Sequence, residues 1–269
     1  MKRKLHALAA AALLTASSYS LAATVNIGGL NVPVGPVFTV ASLYENVITE
    51  VGQELSGVGE VTQINGMAIS ELCAGCELTY HFGGYTVTDF TATTIEFSGG
   101  WANFYLGFDA DNDFNPFASG SSAEDLAAAT NGTLWLTLSG HQIDAAGNTF
   151  AGTGTDIGTP SAVGFGAGLA DVDHTGMMFG NTAGAGALAN NAFDTNAIPA
   201  DFAGNADFQL GSSFSNVLLP HPNECPGGPE CLAGSVDIRG VIPEPETYAL
   251  MLAGLGVVGF VARRRSRKL

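Results

Sequence analysis

The chain has 269 residues, 46% of them hydrophobic and only 13% charged, with a formal net charge of −16. Its nine Lys and Arg sit almost entirely at the ends, three in the first four residues and five in the last seven. Residues 23–240 therefore keep one base, Arg239, against 23 acids, which excludes nucleic acid and anionic membrane surfaces as natural partners.

The first 22 residues read as a signal peptide. Lys2, Arg3 and Lys4 form a basic start, Leu5 to Leu14 a short apolar stretch, and Ser20-Leu21-Ala22 places small residues at −3 and −1. An apolar core of about ten residues suits secretion and is well short of a membrane span. Signal peptidase is expected to cut before Ala23.

Residues 23–240 form the exported domain, and period-two alternation dominates it. Strands are expected at Val37–Ala41, Val61–Ile64, Glu77–Phe82, Tyr85–Phe90, Thr93–Phe97, Trp101–Phe108, Leu134–Leu138, Asn148–Gly152, Ala206–Leu210 and Ala233–Ile238. Gly83-Gly84 and Thr91-Ala92 read as the breaks of a hairpin followed by a third strand. Ser42–Glu54 is a candidate short helix. Ser121 and Glu124 make a capping box for a second helix, stopped by Asn131-Gly132. The Gly/Ala/Asn-rich stretch from Asp144 to Asn205 reads largely as long loops. Many short strands with Gly-rich turns point to an all-β fold, an antiparallel sandwich or jelly roll.

Four cysteines lie in this domain: Cys73 and Cys76, then Cys225 and Cys231. An even number in an oxidising compartment argues for two disulfides. Two local loops are the favoured pairing; crossing the two pairs is the alternative. The run Asp109, Asp111, Asp113 and Asn115, just after a strand, supplies the closely spaced oxygens that calcium takes. The same spacing also serves a solvated turn, and both readings stay open. Asp171, Asp173 and His174 offer another pair of metal oxygens or a carboxylate–histidine contact, and otherwise a loop or strand edge without chemistry. Trp101, Tyr105 and Trp135 can stack on sugar rings if their faces point outward, and otherwise belong to the core. No nucleophile elbow, phosphate loop, zinc helix or dinucleotide fingerprint occurs, so the chain is read as a non-enzyme.

Residues 241–269 close the chain with Pro243-Glu244-Pro245, then the uncharged stretch Tyr248–Ala262, then Arg263, Arg264, Arg265, Arg267 and Lys268. As a helix, that stretch would span roughly 22 Å against a hydrocarbon core of ~30 Å, a marginal transmembrane segment. Positive-inside logic puts the basic cluster in the cytoplasm and the domain outside. These three pieces, in this order at the C-terminus, resemble the PEP-CTERM sorting signal read by exosortases. The resemblance implies processing by an exosortase near Pro243–Pro245, in a host that makes exopolysaccharide. On that basis the domain is expected in the periplasm while the tail holds it to the inner membrane, then at the cell surface or outside it. The function expected is that of a surface or extracellular-matrix protein associated with exopolysaccharide or biofilm. A calcium-dependent carbohydrate-binding or adhesive module is the alternative.

Overall fold

The computed structural model describes residues 24–174, 185–216, 221, 223–228, 230–243 and 254–256, with the backbone alone at 185–188. The expected signal peptide and most of the C-terminal tail lie outside these residues. Among the described residues no helix is long and apolar enough to cross a membrane. Gly254–Gly256, inside the expected membrane stretch, are helical.

Twelve strands are described. In chain order they are β1 (Thr24–Ile27), β2 (Leu30–Pro33), β3 (Gly35–Asn46), β4 (Glu54–Ile64), β5 (Met67–Ala68), β6 (Cys76–Phe90), β7 (Thr94–Phe108), β8 (Thr133–His141), β9 (Asn148–Thr155), β10 (Val163–Val172), β11 (Phe208–Ser215) and β12 (Cys231–Ile242). Three helices join them: α1 (Ile69–Leu72), α2 (Ser122–Thr130) and α3 (Ala185–Phe193). Apart from the small β5, each strand from β3 onward pairs antiparallel with the next in the meander, and β12 returns to pair with β3 along its length. The result is a closed eight-stranded antiparallel barrel. β8 and β9 share one place in it. β8 pairs with Trp101–Leu106 of β7, and β9 continues the line against Thr94–Ser98.

Closure replaces the expected sandwich. A sandwich needs two sheets with edges, whereas full closure of a meander leaves no edge to protect. Side chains alternate accordingly: Val37, Leu43, Leu78, Tyr80, Phe104, Leu106, Leu138 and Ile238 face inward into one continuous core. That core and the closing β12–β3 pair lie wholly between residues 24 and 242, so this part of the chain is a self-sufficient folding unit.

Two further expectations are corrected. Ser42–Glu54 is not a helix: Ser42–Asn46 extend β3, and residues 47–53 turn into β4. Gly83-Gly84 is not a turn either, because β6 runs straight through it, as β7 runs through Gly99-Gly100. The two glycine pairs are offset by one residue, Gly83 facing Trp101 and Gly99 facing Tyr85, and Gly84, Gly99 and Gly100 take positive φ values of 72°, 73° and 90°. Such backbone lets both strands slip their inward phase by one residue without breaking the ladder. Phe82 and Tyr85 both face the core as a result. The Asp144–Asn205 stretch holds a long strand, β10, besides its loops. The capped helix forms as expected, with Ser121 Oγ accepting from Glu124 N at 3.3 Å.

The barrel has two distinct ends. At the base, the β1–β2 hairpin inserts Ile27, Leu30 and Val32 into the core, and Trp135 Nε1 donates to the Ile27 carbonyl at 2.8 Å. Helix α3 seals the same end through Phe193, packed on Trp135 and Phe208 at 5.9 and 5.3 Å between ring centroids. Thr24, paired with Pro33, and Ile242, paired with Gly35, both leave from this base. At the opposite rim lie the 47–53 turn, the β9–β10 connection and the 225–231 loop.

Candidate functional site

The rim half of the lumen is lined unusually for a barrel core. Tyr80, Phe82, Tyr85, Phe104, Phe97 and Phe150 form a chain of ring contacts 5.6–6.5 Å apart. Their rings fit because the facing strands present glycine. A Cβ on Gly59 would run into the Tyr80 hydroxyl and the Ser42 carbonyl, and one on Gly57 into the Phe82 ring. On β10, Cβ atoms at Gly166 and Gly168 would strike Phe150, and one at Gly164 would strike Phe214. Tyr80 thus lies across β4 and donates its hydroxyl to the Ser42 carbonyl.

Two neighbouring cavities of about 60 and 40 Å³ remain between these walls, and Glu45, Leu55, Phe150 and Ser212 line both. A third, of about 30 Å³, lies toward the base around Phe104, Trp135 and Phe193. Glu45 occupies an inward position of β3, where the period-two pattern otherwise places Val37, Ala41 and Leu43. It is 7% exposed. No described residue hydrogen-bonds its carboxyl, and burial alone pushes its pKa up to about 8. Above the cavities, Asn46 ties the rim together. Its Nδ2 donates to the Glu54 carbonyl and its Oδ1 accepts from Ser56 N. Ser56 Oγ in turn donates to the Pro226 carbonyl at 2.9 Å, docking the loop closed by Cys225 and Cys231.

Both disulfides form as local pairs, Cys73–Cys76 and Cys225–Cys231. The first fastens α1 to the start of β6. The acidic run lies outside the barrel, after β7. Asp109, Asp111, Asp113 and Asn115 are all exposed, Asp109–Asp111 form a single 3-10 turn, and Asp113 Oδ1 accepts from Asn131 Nδ2 at 2.9 Å. Among the described residues no three His, Cys, Asp or Glu side chains gather as a metal would require. Phe114 turns inward from this loop against Val58 and Ala129, and its N–H donates to Glu77 Oε2 at 3.1 Å. Desolvation outweighs that bond and raises the Glu77 carboxyl to about 7.

The polar set at Asp171–His174 is divided among different partners. Asp171 pairs with buried His141 at 2.8 Å, and His141 Nε2 also reaches the Phe202 carbonyl at 2.9 Å. Burial disfavours the imidazolium, but the bonds to Asp171 and Phe202 together prevail and the His141 pKa is raised. His174 pairs with Asp194 in the open at 2.8 Å. Of the three aromatics singled out by sequence, Trp135 belongs to the core, while Trp101 and Tyr105 are half-buried on the outer face. Trp101 packs edge-on to His81 at 4.8 Å and covers Gly83 and Gly84 from outside.

Sequence reasoning missed two polar clusters. Asp207, 3% exposed, accepts backbone N–H bonds from Val172, Thr195 and Asn196 at 2.7–2.9 Å, pinning the loop that follows α3. Ser119, Asp125 and His221 meet across 102 residues of chain, with Ser119 Oγ 3.0 Å and Asp125 Oδ2 3.4 Å from the same His221 nitrogen, Nε2. A hydrolytic triad needs the carboxylate on the other ring nitrogen. Here Ser119 instead gives its proton to Asp125, and the cluster clamps His221 to the start of α2.

The last part of the site is the end of β12. Val241 and Ile242 are still paired with Pro36 and Gly35, and Pro243 follows directly. The class the fold defines is a closed eight-stranded barrel whose last strand runs directly into the C-terminal tail. The chain carries a PEP-CTERM protein-sorting motif over residues 241–265. The motif marks an exosortase-sorted protein exported to the cell envelope or surface. Comparison with curated proteins and with solved structures gives no match.

Proposed function

We propose that this protein is a non-catalytic barrel, held at the inner membrane by its tail until exosortase cuts near Pro243-Glu244-Pro245, and then deposited with extracellular polysaccharide as a matrix component. The observation that carries the reading is the sorting motif starting within β12. Proline at 243 and 245 disfavours helix and removes amide donors from the stretch, a sequence that suits access by a membrane protease. Both ends of the barrel leave from its base, so an anchored chain presents its rim away from the membrane. The strongly acidic surface suits a cation-bridged polysaccharide matrix rather than direct adsorption to anionic lipid. The test is fractionation of cultures. The barrel is expected to co-purify with the exopolysaccharide and to be released when the polymer is enzymatically digested. Recovery as free protein in the medium before digestion overturns the matrix role.

A second reading, a carbohydrate-binding module, draws on Trp101. Its half-buried outward ring offers a stacking face beside His81. Under that reading Trp101→Ala lowers polysaccharide retention at least about fivefold with the fold intact; unchanged retention removes it.

A further inference from the structure

We propose that the rim half of the barrel lumen is a binding site for a small neutral molecule, apolar except for a single hydroxyl, which hydrogen-bonds to the Glu45 carboxyl. The sorting motif states where the chain is sent and has no bearing on this interior, so the two readings stand or fall separately.

Four observations carry it. Glu45 stands at an inward strand position among apolar neighbours and is more than nine-tenths buried. Its carboxyl has no hydrogen-bond partner among the described residues. A bound hydroxyl would give that carboxyl the partner it lacks. Adjoining cavities of about 60 and 40 Å³ open directly beside it, sharing Leu55, Phe150 and Ser212 as walls. Finally, rings wall the space: Tyr80, Phe82, Tyr85 and Phe104 line the larger cavity, and Phe97 the smaller, with Phe150 shared between them.

The chemistry of the occupant follows from the walls. Eight strands enclose an interior just wide enough to be filled by side chains or to hold one small ligand. At about 10–15 Å³ per water on this measure, the larger cavity has room for roughly four waters, a volume suited to a single ring. Ring-lined, apolar walls with one polar group are the usual make-up of a small-molecule pocket. A buried acid that stays protonated at neutral pH both donates and accepts, matching a hydroxyl. A charged ligand would lose its hydration here without finding an opposite charge.

Phenol and toluene, two rings of equal size with and without a hydroxyl, test the proposal on the 23–242 chain at pH 6 by calorimetric titration. Phenol is expected to bind saturably, one per chain, and about tenfold more tightly than toluene. Ser212→Leu, which fills the shared wall, is expected to weaken both at least about tenfold. Glu45→Leu should bring phenol down to the level of toluene, while Glu45→Gln keeps phenol within about threefold of the wild type. Absence of saturable phenol binding by folded wild-type chain overturns the proposal, as does binding that Ser212→Leu leaves untouched. A phenol preference that survives Glu45→Leu shows that Glu45 is not the anchor and overturns the proposal. Should Glu45→Leu fail to fold, nuclear Overhauser contacts between phenol ring protons and the Leu43 and Leu55 methyls of the wild type decide, and their absence counts against the site.

Discussion

At the scale of single residues, three buried groups bind protons more tightly in the folded chain than in the unfolded one. Desolvation lifts Glu45 to about 8 and Glu77 to about 7, and the Asp171 and Phe202 contacts raise His141 against its burial. A group whose folded pKa is raised stabilises the fold below its unfolded pKa and loses that contribution as pH climbs through the folded value. For Glu45 the window runs from 4.5 to about 8, with Glu77 inside it and His141 losing its share above 6.5. These three act in one direction, joined by the burial-raised Glu60 and Asp125 and opposed by His81, whose pKa burial lowers, so thermal melts of the 23–242 chain should show Tm about 10 °C higher at pH 5 than at pH 8.5. Glu45→Gln, neutral at every pH, should raise Tm at pH 8.5 while leaving it nearly unchanged at pH 5. A Tm that rises with pH, or a variant that shifts both values equally, contradicts the assignment. Asp207 acts through geometry instead. Asp207→Ala orphans three backbone N–H donors and should cost about 3 kcal/mol or more, read as a lower denaturation midpoint in urea.

At the scale of elements, the glycines of β4 and β10 decide how the barrel is filled. Gly59 accommodates Tyr80, so Gly59→Ala forces the ring off β4 and breaks its bond to the Ser42 carbonyl. A loss of about 2–3 kcal/mol is expected in chemical denaturation, against under about 1 kcal/mol for an alanine at Gly211, where an added Cβ meets nothing closer than the Asp237 carbonyl at 3.9 Å. Equal losses at the two positions would mean the close packing of Tyr80 carries little weight. The same glycines explain what sequence reading could and could not recover. Where inward residues are large and apolar, as at Leu78, Tyr80 and Phe104, period-two alternation locates the strand directly. In β10 the inward residues are Gly164, Gly166 and Gly168 while Phe165 faces solvent at 70% exposure, so the hydrophobic pattern is inverted and the strand reads as loop. Gly83-Gly84 misleads for a related reason: a glycine pair inside a strand and one at a turn look alike until the pair on the facing strand, Gly99-Gly100, is placed. Ser42–Asn46 resembles a helix start only because Glu45 sits where an apolar residue would have kept the alternation visible. That one substitution in the pattern hides the strand and also marks the lumen. The Ser119–Asp125–His221 clamp and the Asp207 bonds depend on contacts between distant segments, which spacing alone does not encode. The capped helix and the tail are legible because both are local signals.

At the scale of the molecule, the architecture separates address from interior. A closed meander has no edge strand to recruit another chain. Two local disulfides fasten α1 at the base and the 225–231 loop at the rim, and both chain ends leave from the base. The sorting motif shares its first two residues with β12, so processing near Pro243–Pro245 removes the tail and leaves every barrel pairing intact. The most direct measurement is intact mass spectrometry of the protein recovered from outside the cell, with and without the host exosortase. Processing predicts a chain that begins at Ala23 and ends within Pro243–Glu246, and its loss from the exterior when the exosortase is deleted. A mature protein that still ends at Leu269, or one exported equally well without the enzyme, contradicts it.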